Sequence, residues 1–143
     1  MNELHLDLLA SPGWQRYLET DLFPWVLGAL VLGDDVLEIG PGPGLTTHLL
    51  RRRTPRLTAL EVDEVLASAL ADRLAGTNVE VVHGDATDSG FEADRFSAVT
   101  CFTMLQHVPS AELQDRLLRE VPPGPAARGQ LRRYGRNRHA GPP

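Results

Sequence analysis

Lysine is absent from this chain, cysteine occurs once, at Cys101, and isoleucine once, at Ile39. A lone cysteine excludes an internal disulfide, and no stretch approaches the roughly 18 consecutive apolar residues of a membrane span. The first residues, MNELHLDLLASPGW, carry acidic groups where a secretory signal would place basic ones before an apolar run. A cytoplasmic setting is therefore expected. The five histidines and the cysteine show no metal-ligand spacing, and no serine stands between glycines at a strand-to-helix elbow. Neither a metal centre nor a serine nucleophile is expected. With every basic side chain an arginine, and alanine, glycine, proline and leucine abundant, the bias points to a gene rich in G and C.

What is present fits one domain of 143 residues with a real core. Residues 1–121 hold all 19 acids but only 9 of the 14 arginines, leaving that body at −10. The remaining five arginines fall in residues 122–143, which contain no acid. A body of that sign repels a nucleic-acid backbone, so no nucleic-acid partner is expected.

Apolar residues recur at helical spacing up to about residue 32: Leu4, Leu8 and Leu9, then Trp14, Tyr17 and Leu18, then Leu22, Val26, Leu27 and Leu30. Pro12-Gly13 and Pro24 interrupt them, predicting two or three short helices. DVLEI at 35–39 reads as a buried strand, Leu45 to about Arg53 as a helix stopping before Pro55, and LTALEV at 57–62 as a second strand. Asp63 caps a helix running to Leu74, with Val65, Leu66, Leu70 and Leu74 on its inward face and Gly76 as its C-terminal stop. VEVVH at 79–83 and FSAVTCF at 96–102 are the third and fourth strands. Ser110 caps a helix from Ala111 to about Val121, with Leu113, Leu117 and Leu118 inward. Strand and helix alternate throughout, which predicts an α/β fold with a parallel sheet covered by helices.

The stretch EIGPGPGLTT, residues 38–47, cannot add to a core. Its glycines allow a ligand to approach the backbone and its prolines stiffen the loop, at the strand end where open parallel sheets bind ligands. Read alone, the stretch also fits a tight turn with no ligand. A nicotinamide-type fingerprint would place glycines at the first, third and sixth positions, but the sixth position from Gly40 is Leu45.

One residue between successive glycines, preceded by Glu38, resembles motif I of the class I S-adenosylmethionine-dependent methyltransferases, and VLEIGPGPGLTTHLL is a close match. The resemblance runs from about residue 20 to 121. It implies a Rossmann-like, mostly parallel sheet and S-adenosylmethionine as cofactor, held by Glu38, Gly40, Pro41, Gly42 and Gly44. In LTALEVDE it places Glu61, with Val62 beside it, at the ribose hydroxyls, where a carboxylate offers acceptors to both. In VVHGDATD it places Asp85 at the adenine amine and the amide of Ala86 at a ring nitrogen. An Asx-turn is the local alternative for Asp85. In FTMLQHVP it puts Thr103, Met104, Leu105, Gln106 and His107 at the junction of cofactor and acceptor, with His107 the candidate general base.

The resemblance implies methyl transfer to a small-molecule or lipid-type acceptor. The ribosomal-RNA adenine dimethyltransferases share the loop and ALEVDE, yet they follow the fourth strand with Asn-(Leu/Ile)-Pro-aromatic, where this chain reads CFTMLQH. A non-catalytic module that keeps only the nucleoside pocket is a third reading.

After LLREV the family pattern breaks. Seventeen of residues 122–143 are Pro, Gly, Ala or Arg, with Leu131 the only branched aliphatic. Such a segment supplies neither strand nor buried helix, so the last three strands of the family sheet are expected to be missing. A basic disordered tail is one reading. The favoured one is a reading-frame slip or similar truncation, since a shifted frame across the codons of Pro-Gly-Pro-Ala-Ala can spell Arg-Pro-Gly-Gly, the family turn. The fourth strand would then present an apolar edge open to homo-oligomerisation.

Overall fold

Four strands pair in the order β3-β2-β1-β4, all parallel: β1 (Asp35–Ile39), β2 (Arg56–Glu61), β3 (Val79–His83) and β4 (Ala98–Cys101). The computed structural model describes residues 7, 10–28, 30–102, 104 and 108–120. The predicted tail, Thr103, Leu105, Gln106 and His107 lie outside the described residues.

The central strand shows how sequence sets register. Val36 and Glu38 point to one face and Leu37 and Ile39 to the other, and all four are buried, as expected of a strand covered on both sides. On the first face Val36, Leu57 and Ala98 meet the helical segments at either end of the N-terminal half. On the second, Leu37, Ile39 and Leu60 meet Ala86, Phe96 and Leu117. β1 pairs with β2 on one side and β4 on the other, with Ile39 opposite both Leu60 and Cys101. The chain thus steps outward through β2 and β3 and returns to the far side of β1. That reversal opens a crevice at the carboxyl ends of β1 and its neighbours.

The N-terminal segment departs from the expected broken helices. Ser11 caps α1 (Pro12–Tyr17) through its hydroxyl, which accepts from the Trp14 amide at 3.2 Å, and Pro12 occupies a first-turn position where its missing N–H is harmless. The helical path then continues through a π turn (Leu18–Leu22) into α2 (Phe23–Leu27). Pro24 is absorbed rather than breaking the helix. It cannot donate, and its ring crowds the carbonyl one turn back, so the backbone widens and the Phe23 N–H reaches five residues back to Leu18 O. Leu18, Leu22, Phe23 and Leu27 consequently share the face against the sheet.

Helix α3 (Leu45–Leu50) ends earlier than the apolar pattern suggested, and the chain turns through Thr54, whose hydroxyl donates to Gly33 O at 3.0 Å. Asp63 caps α4 (Glu64–Leu74) by accepting from the Val65 and Leu66 amides. Gly76, at φ +76°, turns the chain after it as expected. Leu70 is buried as expected, but Val65 does not face inward: it is 77% exposed, and Ala67 joins Leu70 on the buried face. In the first turn, the cap sets the chain's entry and points Val65 outward. α5 (Ala111–Glu120) begins at Ser110, whose hydroxyl accepts from Leu113 N at 3.2 Å. β4 is shorter than FSAVTCF, although Phe96 is buried all the same.

Candidate functional site

The loop Gly40–Gly44 leaves β1 at the crevice, and each of its glycines has a positive φ: +68°, +55° and +87°. L side chains rarely take that conformation. Space adds a second constraint at two of them. A Cβ at Gly40 would fall on the Met104 side chain, and one at Gly44 would fall on Leu70 Cδ1 of α4. At Gly42 a Cβ would meet nothing within 4 Å, so this turn of backbone faces open space. Arg73 of α4 donates to Pro43 O at 2.5 Å and fixes the loop from outside.

Gly44→Ala is expected to lower unfolding stability by about 2 kcal/mol, from backbone strain and the collision with Leu70. In a Leu70→Ala background the same substitution should cost distinctly less when both are measured by urea unfolding. Equal costs would show that strain alone matters.

Three carboxylates surround the loop, and their environments differ. Glu61, at the end of β2, is 4% exposed, and it accepts from the Gly42 amide through Oε2 at 2.9 Å and from the Asp63 amide through Oε1 at 3.1 Å. It therefore ties the glycine loop to the start of α4. A carboxylate oxygen can accept more than one hydrogen bond, and Glu61 also lines the crevice. Asp85, after β3, is exposed and forms an Asx-turn: its Oδ1 accepts from the Thr87 amide and hydroxyl, each at 2.8 Å. Those bonds, the amide's first, hold its carboxyl below the usual range. Oδ2 has no part in them.

Glu38 is different again. It lies beneath the loop, 1% exposed, with the Thr46 hydroxyl donating to Oε1 and with Oε2 buried without a hydrogen-bond partner. Loss of hydration pushes its carboxyl up to about 7, against the hydroxyls of Thr46 and Thr47 and with the charge of Glu61 adding to the rise. Of the two hydroxyls only that of Thr46 makes a hydrogen bond to Glu38, since Thr47 Oγ1 is itself buried without a partner.

The crevice has a volume of 610 Å³, within the usual range for a small-molecule site. Pro41, Gly42, Glu61, Val62, Asp85 and Ala86 all line it, as does Gly40. Of the other residues named from the sequence, Glu38 lies under the loop, Gly44 faces α4, and Thr103 and His107 fall outside the described residues. Sequence reasoning missed Trp14, which reaches the crevice from α1, and Val108 and Leu113 on its other wall. Helical spacing places Trp14 and Leu113 in the core, and nothing in that pattern separates a core wall from a pocket wall. Among the described residues, no group of His, Cys, Asp and Glu could hold a metal ion, and no helix is long and apolar enough to cross a membrane.

Residues 36–122 match the sequence model of a family described as "Methyltransferase domain". Over 66 residues the chain is 48% identical to ribosomal RNA small subunit methyltransferase A of Deinococcus radiodurans, covering 46% of this chain and 23% of that protein. Over 99 residues it is 37% identical to demethylmenaquinone methyltransferase of Clavibacter sepedonicus, covering 67% of this chain and 40% of the relative. The chain thus spans less than half the length of either. Among solved structures, the DhpI-SAM-HEP complex superposes with a TM-score of 0.65 at 27% identity, over 84% of this chain and 56% of that one.

Proposed function

On the premise that this chain belongs to the methyltransferase-domain family, we propose that its crevice binds S-adenosylmethionine and serves methyl transfer to a small-molecule or lipid-type acceptor. The observation that carries this is the conjunction at one strand-end crevice of the backbone of Gly40 and Gly42, both at positive φ, the buried carboxylate of Glu61 and the Asx-turn carboxylate of Asp85. Gly42 supports it further, because its backbone borders open space that a side chain would fill.

In this reading Glu61 meets the ribose hydroxyls beside Val62, Asp85 Oδ2 accepts from the adenine amine, and the Ala86 amide meets the purine ring. Gly40, Pro41, Gly42 and Gly44 shape the loop from above Glu38, and Thr103 is a further proposed contact from the family resemblance. S-adenosylmethionine, when bound, supplies an activated methyl group with its own leaving group. What remains for the chain is to orient and dehydrate, holding an acceptor in line, an effect worth up to roughly 7–11 kcal/mol when fully realised. His107 is the proposed base for an acceptor that must lose a proton.

A small acceptor is favoured over RNA for three reasons. The body of the chain is strongly acidic, and the segment after β4 lacks the Asn-(Leu/Ile)-Pro-aromatic run. The match to the demethylmenaquinone enzyme also covers more of this chain than the match to the ribosomal RNA enzyme. β4 ends the strand order among the described residues, and its outer edge is the proposed surface for self-association.

Titration calorimetry with S-adenosylmethionine tests the cofactor, and a methyl-transfer assay tests the reaction. Asp85→Ala is expected to weaken binding about tenfold, the size of one hydrogen bond to a charged group. Because Asp85 is exposed, the fold should survive the change. Unchanged affinity would remove Asp85 from the site. Binding without transfer to any small acceptor would leave a nucleoside-binding module.

A further inference from the structure

We propose that Trp14 recognises the sulfonium end of the donor through the face of its indole ring. The inference rests on the S-adenosylmethionine reading given above. Strand order fixes the sequence of loops along the crevice: Asp85 after β3, Glu61 after β2, the glycine loop after β1, and Phe102 and Met104 after β4. With sugar and base held by Glu61 and Asp85, the sulfur end falls toward the β1–β4 half.

The described carboxylates that line the crevice, Glu61, Asp63 and Asp85, all belong to the β2 and β3 half. A sulfonium carries positive charge but no N–H or O–H with which to find a hydrogen-bond acceptor. On the β1–β4 side its charge can be met by aromatic faces, and tryptophan presents the most negative one. Trp14 and Phe102 both line the crevice and both pack against the same core cluster.

Trp14 is also held in place. Its amide donates to the capping Ser11 hydroxyl at 3.2 Å, its ring rests on Tyr17 with centroids 5.4 Å apart, and Leu18, on the next turn, is fully buried in the core.

The test compares S-adenosylmethionine with S-adenosylhomocysteine, the neutral thioether left after transfer, by calorimetry on the full chain. Trp14→Leu should weaken the sulfonium ligand about 3- to 10-fold more than the thioether. Trp14→Phe, which keeps a ring and reads the same ratio even where the leucine variant does not fold, should show an intermediate change. Equal losses for both ligands, or no loss, overturn the role of Trp14 while leaving the cofactor reading intact. A parent chain that binds neither ligand overturns both.

Discussion

Replacing Glu61 with glutamine is expected to lower the unfolding free energy by about 3 kcal/mol and to abolish measurable binding of S-adenosylmethionine, although the side chain barely changes shape. Both oxygens of Glu61 accept from backbone amides, Gly42 N at 2.9 Å and Asp63 N at 3.1 Å. Glutamine offers one oxygen and one NH2 group. Whichever way the amide is turned, an N–H is left facing an N–H in a place that is 4% exposed. One backbone donor then loses its partner, and the glycine loop loses its tie to α4. Urea unfolding and calorimetry on the same variant check the two halves of this expectation. If Glu61→Gln unfolds like the parent, the two amides are satisfied in some other way and the loop does not depend on this carboxylate.

The double duty of Glu61 also explains why its role in the sequence reading was incomplete. A carboxylate at the end of the second strand is legible as a partner for vicinal hydroxyls because of where the strand ends. Its bond to Gly42 is not legible, since that contact exists only once β1 and β2 are paired in register and the loop has folded back across them. The same distinction runs through the fold. β1 and β3 were readable to the residue because each is a short apolar run bounded by turn residues. Asp63, Ser110 and Gly76 were readable as punctuation because a cap and a left-handed stop act within a few residues.

Features that depend on tertiary packing were less legible. Pro24 reads locally as a break, and only the pull of Leu18, Leu22, Phe23 and Leu27 toward one core face makes a π turn the better solution. Val65 reads as part of an apolar stripe, but the cap at Asp63 rotates it to the surface. Trp14 reads as core, and it both packs against the first core cluster and borders the crevice. The buried state of Glu38 belongs to the same class, for an acid before a glycine loop gives no sign that it will be sealed beneath α3.

That burial leads to the remaining large effect, which is a dependence of stability on pH. Glu38 is raised from its ordinary 4.5 to about 7, chiefly by loss of hydration. Between those values the folded chain holds a proton that the unfolded chain has released, so unfolding stability must fall as pH rises. The contribution is fully present below about 4.5 and is lost by about 7, and the interval corresponds to about 3 kcal/mol. His48 works in the opposite direction. Its ring is held below its ordinary 6.5, first by partial burial and then by Arg52 and Arg51, so its contribution favours the folded state as pH rises toward 6.5. A profile of the parent chain alone therefore mixes the two. Glu38→Gln separates them, because glutamine is neutral throughout and can still accept the Thr46 hydroxyl. The variant should resemble the parent near pH 4.5 and exceed it by up to about 3 kcal/mol at pH 8, when both are followed by urea unfolding across that range. A difference that stays flat with pH would mean that the carboxyl binds protons equally in the folded and unfolded chain, so that its burial does not raise it.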